Sequence, residues 1–326
     1  MDNIVFAPVA IITLNRYEHL RRCVESLKKC KYAEETEVYI SVDFPPNDSY
    51  QRGYLCVREY LKKEIDGFKK VHIFIQEKNL GVNGNSEFLK KIIFRKFDRY
   101  ILSEDDNEFA YSFLEYMNKC LKMFEHDENV LNICGIQEDG PWKDKEDTIV
   151  FQQWCPAYGL GMWREKERKL EKIEAEYFKK YIPKDKNKMK LLYKTSKICF
   201  QQFGEGVLWG KENIFWGDGN RPLWCDTLRS IYAICEGKCF VAPKVSKVCN
   251  HGFDGSGVNI KRKNIDPCMI WELDTSEKFN CKYIYNIDEV RRNTQYKDKG
   301  IYQTKKIFVL KAQIKIWIYN IIYKNN

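Results

Sequence analysis

Tyr100-Ile101-Leu102-Ser103-Glu104-Asp105-Asp106-Asn107 carries an apolar strand straight into three consecutive carboxylates. Like charges side by side repel, so the triplet needs a counter-ion. Hard oxygen ligands suit Mg2+ or Mn2+, ions that commonly also hold a substrate phosphate. The triplet therefore points to a metal-bound, phosphate-bearing substrate. An acidic turn capping a helix that starts near Phe109 is the structural alternative.

Upstream, residues 9–14 form a short apolar run that ends in Thr13-Leu14-Asn15-Arg16. Leu20, Cys23, Val24 and Leu27 follow at helical spacing. Residues 38–42 alternate as a strand and stop at Asp43-Phe44-Pro45-Pro46. A helix over 54–61, a strand over 71–76, a Gly/Asn loop over 79–85, a helix over 86–97 and a strand over 99–102 complete the series. Repeated strand-helix units predict an α/β fold with a mostly parallel central sheet flanked by helices.

In such sheets ligands sit at the carboxyl ends of the strands, so Asn15, Arg16, Asp43 and the acidic triplet should share one crevice. A carboxylate there can accept a hydrogen bond from a base imide, and an arginine can pair a phosphate. A turn residue or a surface charge is the plainer role for each. Asn79 opens a loop whose glycines allow close backbone approach, although it has neither a phosphate-loop lysine nor GxGxxG spacing.

The chain of 326 residues is long enough for one large domain or two modest ones. Its 13 cysteines are scattered and odd in number, which suits reduced core thiols better than a disulfide framework. Four histidines, His19, His72, His126 and His251, argue against a zinc site. The first residues lack the basic start and apolar run of a signal peptide, and no run reaches the roughly 18 apolar residues of a membrane span. The expectation is a cytoplasmic protein, soluble or peripheral at the inner face of the plasma membrane. Net charge is +9, and residues 261–326 hold 14 Lys or Arg against 7 Asp or Glu. A basic end of this kind can meet nucleic acid, an anionic membrane or an acidic partner; the lack of a reading motif disfavours nucleic acid.

The whole pattern resembles the GT-A (Rossmann-like) glycosyltransferases. The start, Ala7-Pro8-Val9-Ala10-Ile11-Ile12-Thr13-Leu14-Asn15-Arg16, is similar to family-two glycosyltransferases. The triplet followed by Glu108-Phe109-Ala110 and Phe113-Leu114-Glu115-Tyr116 resembles the N-acetylglucosaminyltransferase I family more closely. Ala157-Tyr158-Gly159-Leu160-Gly161-Met162-Trp163 is similar to an acceptor-side loop there, and Trp224-Cys225-Asp226 with Arg229 lies where that family carries a tryptophan and paired aspartates.

The resemblance covers roughly residues 7–256. It implies a catalytic domain over 1–260, with a nucleotide-binding half (1–107), an acceptor half (108–260) and a basic C-terminal extension (261–326). It implies a metal-dependent, inverting transfer of a sugar from a UDP-sugar to a glycan or lipid-linked acceptor. By the same likeness Asp106 is the direct ligand of Mn2+ or Mg2+, Asp105 faces the ribose or metal waters, and Glu104 faces the transferred sugar. Asp43 reads the uracil edge, while Arg16, Asn15 and Asn79 lie by the nucleotide. The likeness puts the general base where this chain has Cys225; the role is assigned to Asp226 next along, with Asp218 in Trp216-Gly217-Asp218-Gly219 as the second choice and helix capping as the structural role of Asp226. His251, in a Gly-rich loop over 250–257 that could close over the donor, is a further candidate for the metal or diphosphate.

The charged stretch 164–190 reads as a solvated helical insertion. The last 25 or so residues are apolar around most of a helix, with lysines and no acids, which suits either a membrane interface or packing on the domain. A sugar nucleotidyltransferase is disfavoured because residues 7–22 hold no glycine-rich lysine loop. A non-catalytic protein binding glycan or nucleotide-sugar on the same fold is the other alternative.

Overall fold

The computed structural model describes residues 6–137, 148–210, 214–256, 273–274, 276, 286–297 and 304–323. Ten strands are found among them: β1 (Val9–Thr13), β2 (Glu37–Val42), β3 (Lys70–Ile75), β4 (Arg99–Glu104), β5 (Asn107–Phe109), β6 (Val130–Cys134), β7 (Ile149–Gln152), β8 (Leu160–Trp163), β9 (Cys239–Pro243) and β10 (Val248–Asn250). The helices of the first half are α1 (Tyr17–Lys28), α2 (Gln51–Leu61), α3 (Gly81–Ile93) and α4 (Phe113–Met123). Those of the second are α5 (Arg164–Glu171), α6 (Ile182–Lys184), α7 (Lys186–Thr195), α8 (Lys197–Gln202), α9 (Asp226–Glu236), α10 (Ile287–Lys297) and α11 (Lys306–Ile322). Two π-helical segments, Tyr177–Tyr181 and Phe203–Val207, lie between them.

An eight-stranded sheet runs β3-β2-β1-β4-β8-β6-β9-β7. Strands β1 to β4 are mutually parallel, β8 is antiparallel to both β4 and β6, and β7 is antiparallel to β9. The expected α/β architecture, a mostly parallel central sheet flanked by helices, is borne out. Period-2 alternation splits each inner strand between two cores. Val9, Ile11, Val38, Ile40 and Ile101 pack under α1, α2 and α4, while Ala10, Ile12, Tyr39 and Tyr100 pack under α3. A third core joins α7, α8, α9 and α11, so one face of the basic tail helix is packed on the domain.

Three local expectations are corrected. The Gly/Asn loop is the first turn and a half of α3, which begins at Gly81 rather than Ser86. Leu80 N donates to Asp43 Oδ1 (2.8 Å) and buried Asn85 donates through Nδ2 to Ser41 O (3.1 Å), so polar groups of β2 anchor the helix start. The acidic triplet caps no helix: β5 follows it directly and pairs antiparallel with β10 in a separate two-stranded sheet. The charged stretch after Trp163 is also not simply a wet face. Lys166 is buried and donates to the carbonyls of Phe124, Asp127 and Val130 at 2.8 to 3.0 Å.

Ten cysteines among the described residues are outside any disulfide, whereas Cys249 is disulfide-bonded, against the expectation of reduced thiols. Among the described residues no helix is long and apolar enough to cross a membrane.

Candidate functional site

Because β1 lies between β2 and β4, their carboxyl ends meet at one edge, with Ile12 opposite Glu104 and Thr13 opposite Val42. Each strand there turns polar at its end, which delivers Arg16, Asp43 and the acidic triplet to a single crevice. Thr13 Oγ1 donates to Asp105 Oδ2 (2.7 Å). The Arg16 guanidinium pairs with Asp105 Oδ1 and, through Nη1 at 2.8 Å, with Asp106 Oδ2.

The β5–β10 pairing sets Asn250 opposite Asn107 and brings a distant segment onto the motif. Asn250 Nδ2 donates to Asp106 Oδ1 (2.6 Å), and His251 N donates to Asp106 O (2.8 Å). A Cβ on Gly252 would stand 2.4 Å from Asp106 Oδ2, so only glycine lets this turn close over the carboxylate.

Withdrawal from water pushes both Asp105 and Glu104 up, reinforced for each by the charge of Asp106 and opposed by Arg16. Arg16 is itself driven up, because Asp105 and Asp106 outweigh its own desolvation.

A divalent cation does not fit the residues as they stand. Asp105 and Asp106 are chemically suited to Mg2+ or Mn2+, yet all four of their carboxylate oxygens already accept from Arg16, Thr13 or Asn250. Among the described residues no three His, Cys, Asp or Glu are grouped to hold a metal ion. His251 turns its ring to Glu108, with Nε2 2.6 Å from Oε2.

Asp43 is buried at the end of β2. Its Oδ1 accepts from Phe44 N (2.9 Å) and Leu80 N (2.8 Å), and Oδ2 accepts from Asn79 Nδ2 (3.3 Å). Asn79 thus joins the Asp43 side of the crevice. Asn15 lies in the bend that follows β1, and its carbonyl is pressed against Gly53 of α2, where a Cβ would come within 2.2 Å.

Next to this edge an open cleft of about 1330 Å³ is lined by Glu104, Tyr158, Ile198, Trp216, Trp224 and Asp226, among others. Glu104 is where its lining reaches the acidic motif, and Asp226 lines the same cleft. Asp226 is exposed to the cleft but surrounded by protein, and that desolvation pushes its carboxyl up. It also accepts from Thr227 N (2.7 Å). Asp218 instead accepts from Asn220 N (3.0 Å) in an exposed turn, apart from the residues lining the cleft.

Arg229 fixes the start of α9. Its Nε donates to Trp224 O (2.7 Å), and its two terminal nitrogens grip Glu167 at 2.8 and 2.7 Å in a fully buried bidentate pair. Arg229 also holds Asn132 Oδ1 at 2.9 Å. This clamp supports the strained Trp224, whose φ of 45° is left-handed and whose buried indole N–H has no hydrogen-bond partner.

Thr13 and Glu167 are absent from the site read in the sequence, and Asn250 and Gly252 entered it only as part of the Gly-rich loop over 250–257. Thr13 follows from the strand-end rule. Nothing in local spacing marks Glu167, or Asn250 as a partner of Asp106.

No protein-family model and no curated protein matches the sequence. Among solved structures, S. aureus TarS is similar at 13% identity over 50% of this chain and 29% of that one, with a TM-score of 0.34. TarS 1-349 in complex with UDP gives 14% identity over 50% and 49%, with a TM-score of 0.32. The mannosyltransferase PcManGT from Pyrobaculum calidifontis, in complex with GDP-Man and Mn2+, gives 13% over 41% and 38%, with a TM-score of 0.30. The chain therefore matches less than half the length of each of these structures. Similarity at this level bears no weight on what the chain does.

Proposed function

We propose that this chain is an inverting glycosyltransferase that moves a sugar from a UDP-sugar to a hydroxyl of a glycan or lipid-linked oligosaccharide. N-acetylglucosamine or another hexose is the transferred group, and surface-polysaccharide synthesis is the setting. The observation that carries this reading is that Glu104 and Asp226 line one cleft, next to the strand ends that lead to Asp43 and Arg16.

In this reading Asp43 accepts from the base, and Arg16, whose side chain keeps 18% exposure, presents positive charge to the diphosphate leaving group. Glu104 faces the transferred sugar. Asp226 takes the proton of the acceptor hydroxyl as that oxygen attacks the anomeric carbon and the carbon–diphosphate bond breaks. A raised pKa makes Asp226 a stronger base than an ordinary carboxylate.

Calorimetric titration of UDP and a panel of UDP-sugars, with and without Mn2+, on wild type and Asp106→Ala tests the donor site. Saturable binding lost in Asp106→Ala supports it; no nucleotide bound under any condition overturns it. Binding without turnover of any acceptor would favour the non-catalytic binding protein. That alternative draws on the pairing of both aspartates with Arg16.

A further inference from the structure

Helix α11 buries Val309, Ala312, Ile316 and Tyr319 against α8 and the π-helical segment Phe203–Val207. The contact is tight, since a Cβ on Gly204 would come 2.9 Å from that of Ala312. The opposite face is apolar as well. Ile307, Leu310, Ile314, Trp317 and Ile321 stand 49 to 65% exposed, with Trp317 the most exposed. Their spacing of three and four residues stacks them into one stripe along the helix. A continuous outward stripe of large side chains on a soluble surface marks an interaction site.

Charge decides what covers it. Residues 304–323 contain Lys305, Lys306, Lys311 and Lys315 and no acid. Lys306 and Lys311 flank the stripe on its two sides and are exposed. If two copies met through the stripe, the charges flanking the contact would all be lysines, with no acid on either helix to pair them, where a stable helix pair wants opposite charges. An anionic lipid surface matches the same lysines and takes the apolar side chains between them. Trp317 and Tyr323, both exposed, are the amphipathic rings that settle at headgroup level. The surface continues into exposed Trp209, whose Nε1 donates to Lys315 O (3.2 Å) and whose ring meets Tyr319 edge-on.

We propose that α11 is a membrane-interface helix that lies in the plane of an anionic bilayer through the stripe from Ile307 to Ile321, while its other face stays docked on α8. The docking orients the molecule. Ile198 and Gln202 of α8 line the cleft, so α8 stands between the lipid-facing helix and that part of the cleft. The cleft is then held about one helix diameter, roughly 10 Å, from the headgroups. The lipid contact stands without the glycosyltransferase reading; with it, the orientation favours a lipid-linked acceptor.

The test is flotation of the full chain with vesicles of phosphatidylcholine alone and of phosphatidylcholine mixed with phosphatidylglycerol, at low and high salt. Wild type is expected to bind the anionic vesicles at least about tenfold more strongly, with the difference shrinking in salt. Ile314→Gln with Trp317→Gln should lower that binding about tenfold or more, while far-UV circular dichroism and the melting temperature stay put because both side chains are exposed. Lys306→Glu with Lys311→Glu should remove the preference for anionic lipid. Failure of wild type to float with anionic vesicles at low salt overturns the proposal, as does binding that ignores the Ile314/Trp317 change. Dimerisation that depends on the same two residues, seen by sedimentation equilibrium without vesicle binding, would assign the stripe to a second copy.

Discussion

Arg16 Nη1 lies 2.8 Å from Asp106 Oδ2, and the same guanidinium pairs with Asp105, so a residue just past β1 bridges both aspartates of the acidic motif that follows β4. Breaking such a pair leaves buried carboxylates uncompensated. Arg16→Gln is expected to lose about 3 kcal/mol of stability, read from urea midpoints. It should also bind Mn2+ about tenfold more tightly than wild type, and Mn2+ should recover part of the lost stability. Equal Mn2+ affinity in both proteins would place the ion away from Asp105 and Asp106.

Asp226 is the cleft-facing carboxylate at the start of α9. Asp226→Asn should reduce turnover about 100- to 10,000-fold while leaving UDP-sugar affinity within about twofold, and Asp218→Asn should change neither by more than about twofold. Desolvation raises the Asp226 pKa, and the base must be ionised. Activity should therefore fall as pH drops, with a midpoint above the ordinary aspartate value. A pH–rate profile of kcat for wild type checks this; a flat acid limb would remove Asp226 from the role.

Glu167 and Arg229 form a buried ion pair that also holds Asn132 and the Trp224 carbonyl. Glu167→Gln leaves the guanidinium without its counter-charge and should cost about 3 to 5 kcal/mol. The same variant should loosen the start of α9, seen as faster amide exchange over residues 224–230. Unchanged exchange there would mean that the clamp does not position Asp226.

Glu37 sets a pH dependence of the fold. Burial alone would raise its pKa, but hydrogen bonds from Lys96, His72 and Tyr39 outweigh that and bring it down to about 2. A depressed carboxylate stabilises the fold above its unfolded pKa of about 4.3, and loses that contribution as pH falls toward 2. The stability gap between wild type and Glu37→Gln should be full at neutral pH and close in acid. A gap that does not vary from pH 7 to pH 2 would contradict the assignment.

Much of the sheet was legible. The apolar runs, their alternation and the helical spacing of Leu20, Cys23, Val24 and Leu27 are local properties, and each reappears as an element with those residues buried. The strand-end rule brought Arg16, Asp43 and the triplet to one edge because it follows from parallel connectivity alone. The start of α3 was misread because Gly and Asn favour turns locally, and only contact with Asp43 and Ser41 of β2 makes them helical.

The sequence by itself determined the strand-helix alternation and the polar residues that end each strand, since both depend on neighbours a few positions apart. The tertiary structure alone decided that Arg16 and Asn250 engage Asp106, that Glu167 meets Arg229, and that one face of α11 is covered while the other stays bare. Asn250 lies 144 residues from Asp106, and Glu167 lies 62 from Arg229. Contacts at that separation are set by strand order and layer packing, which local periodicity does not encode.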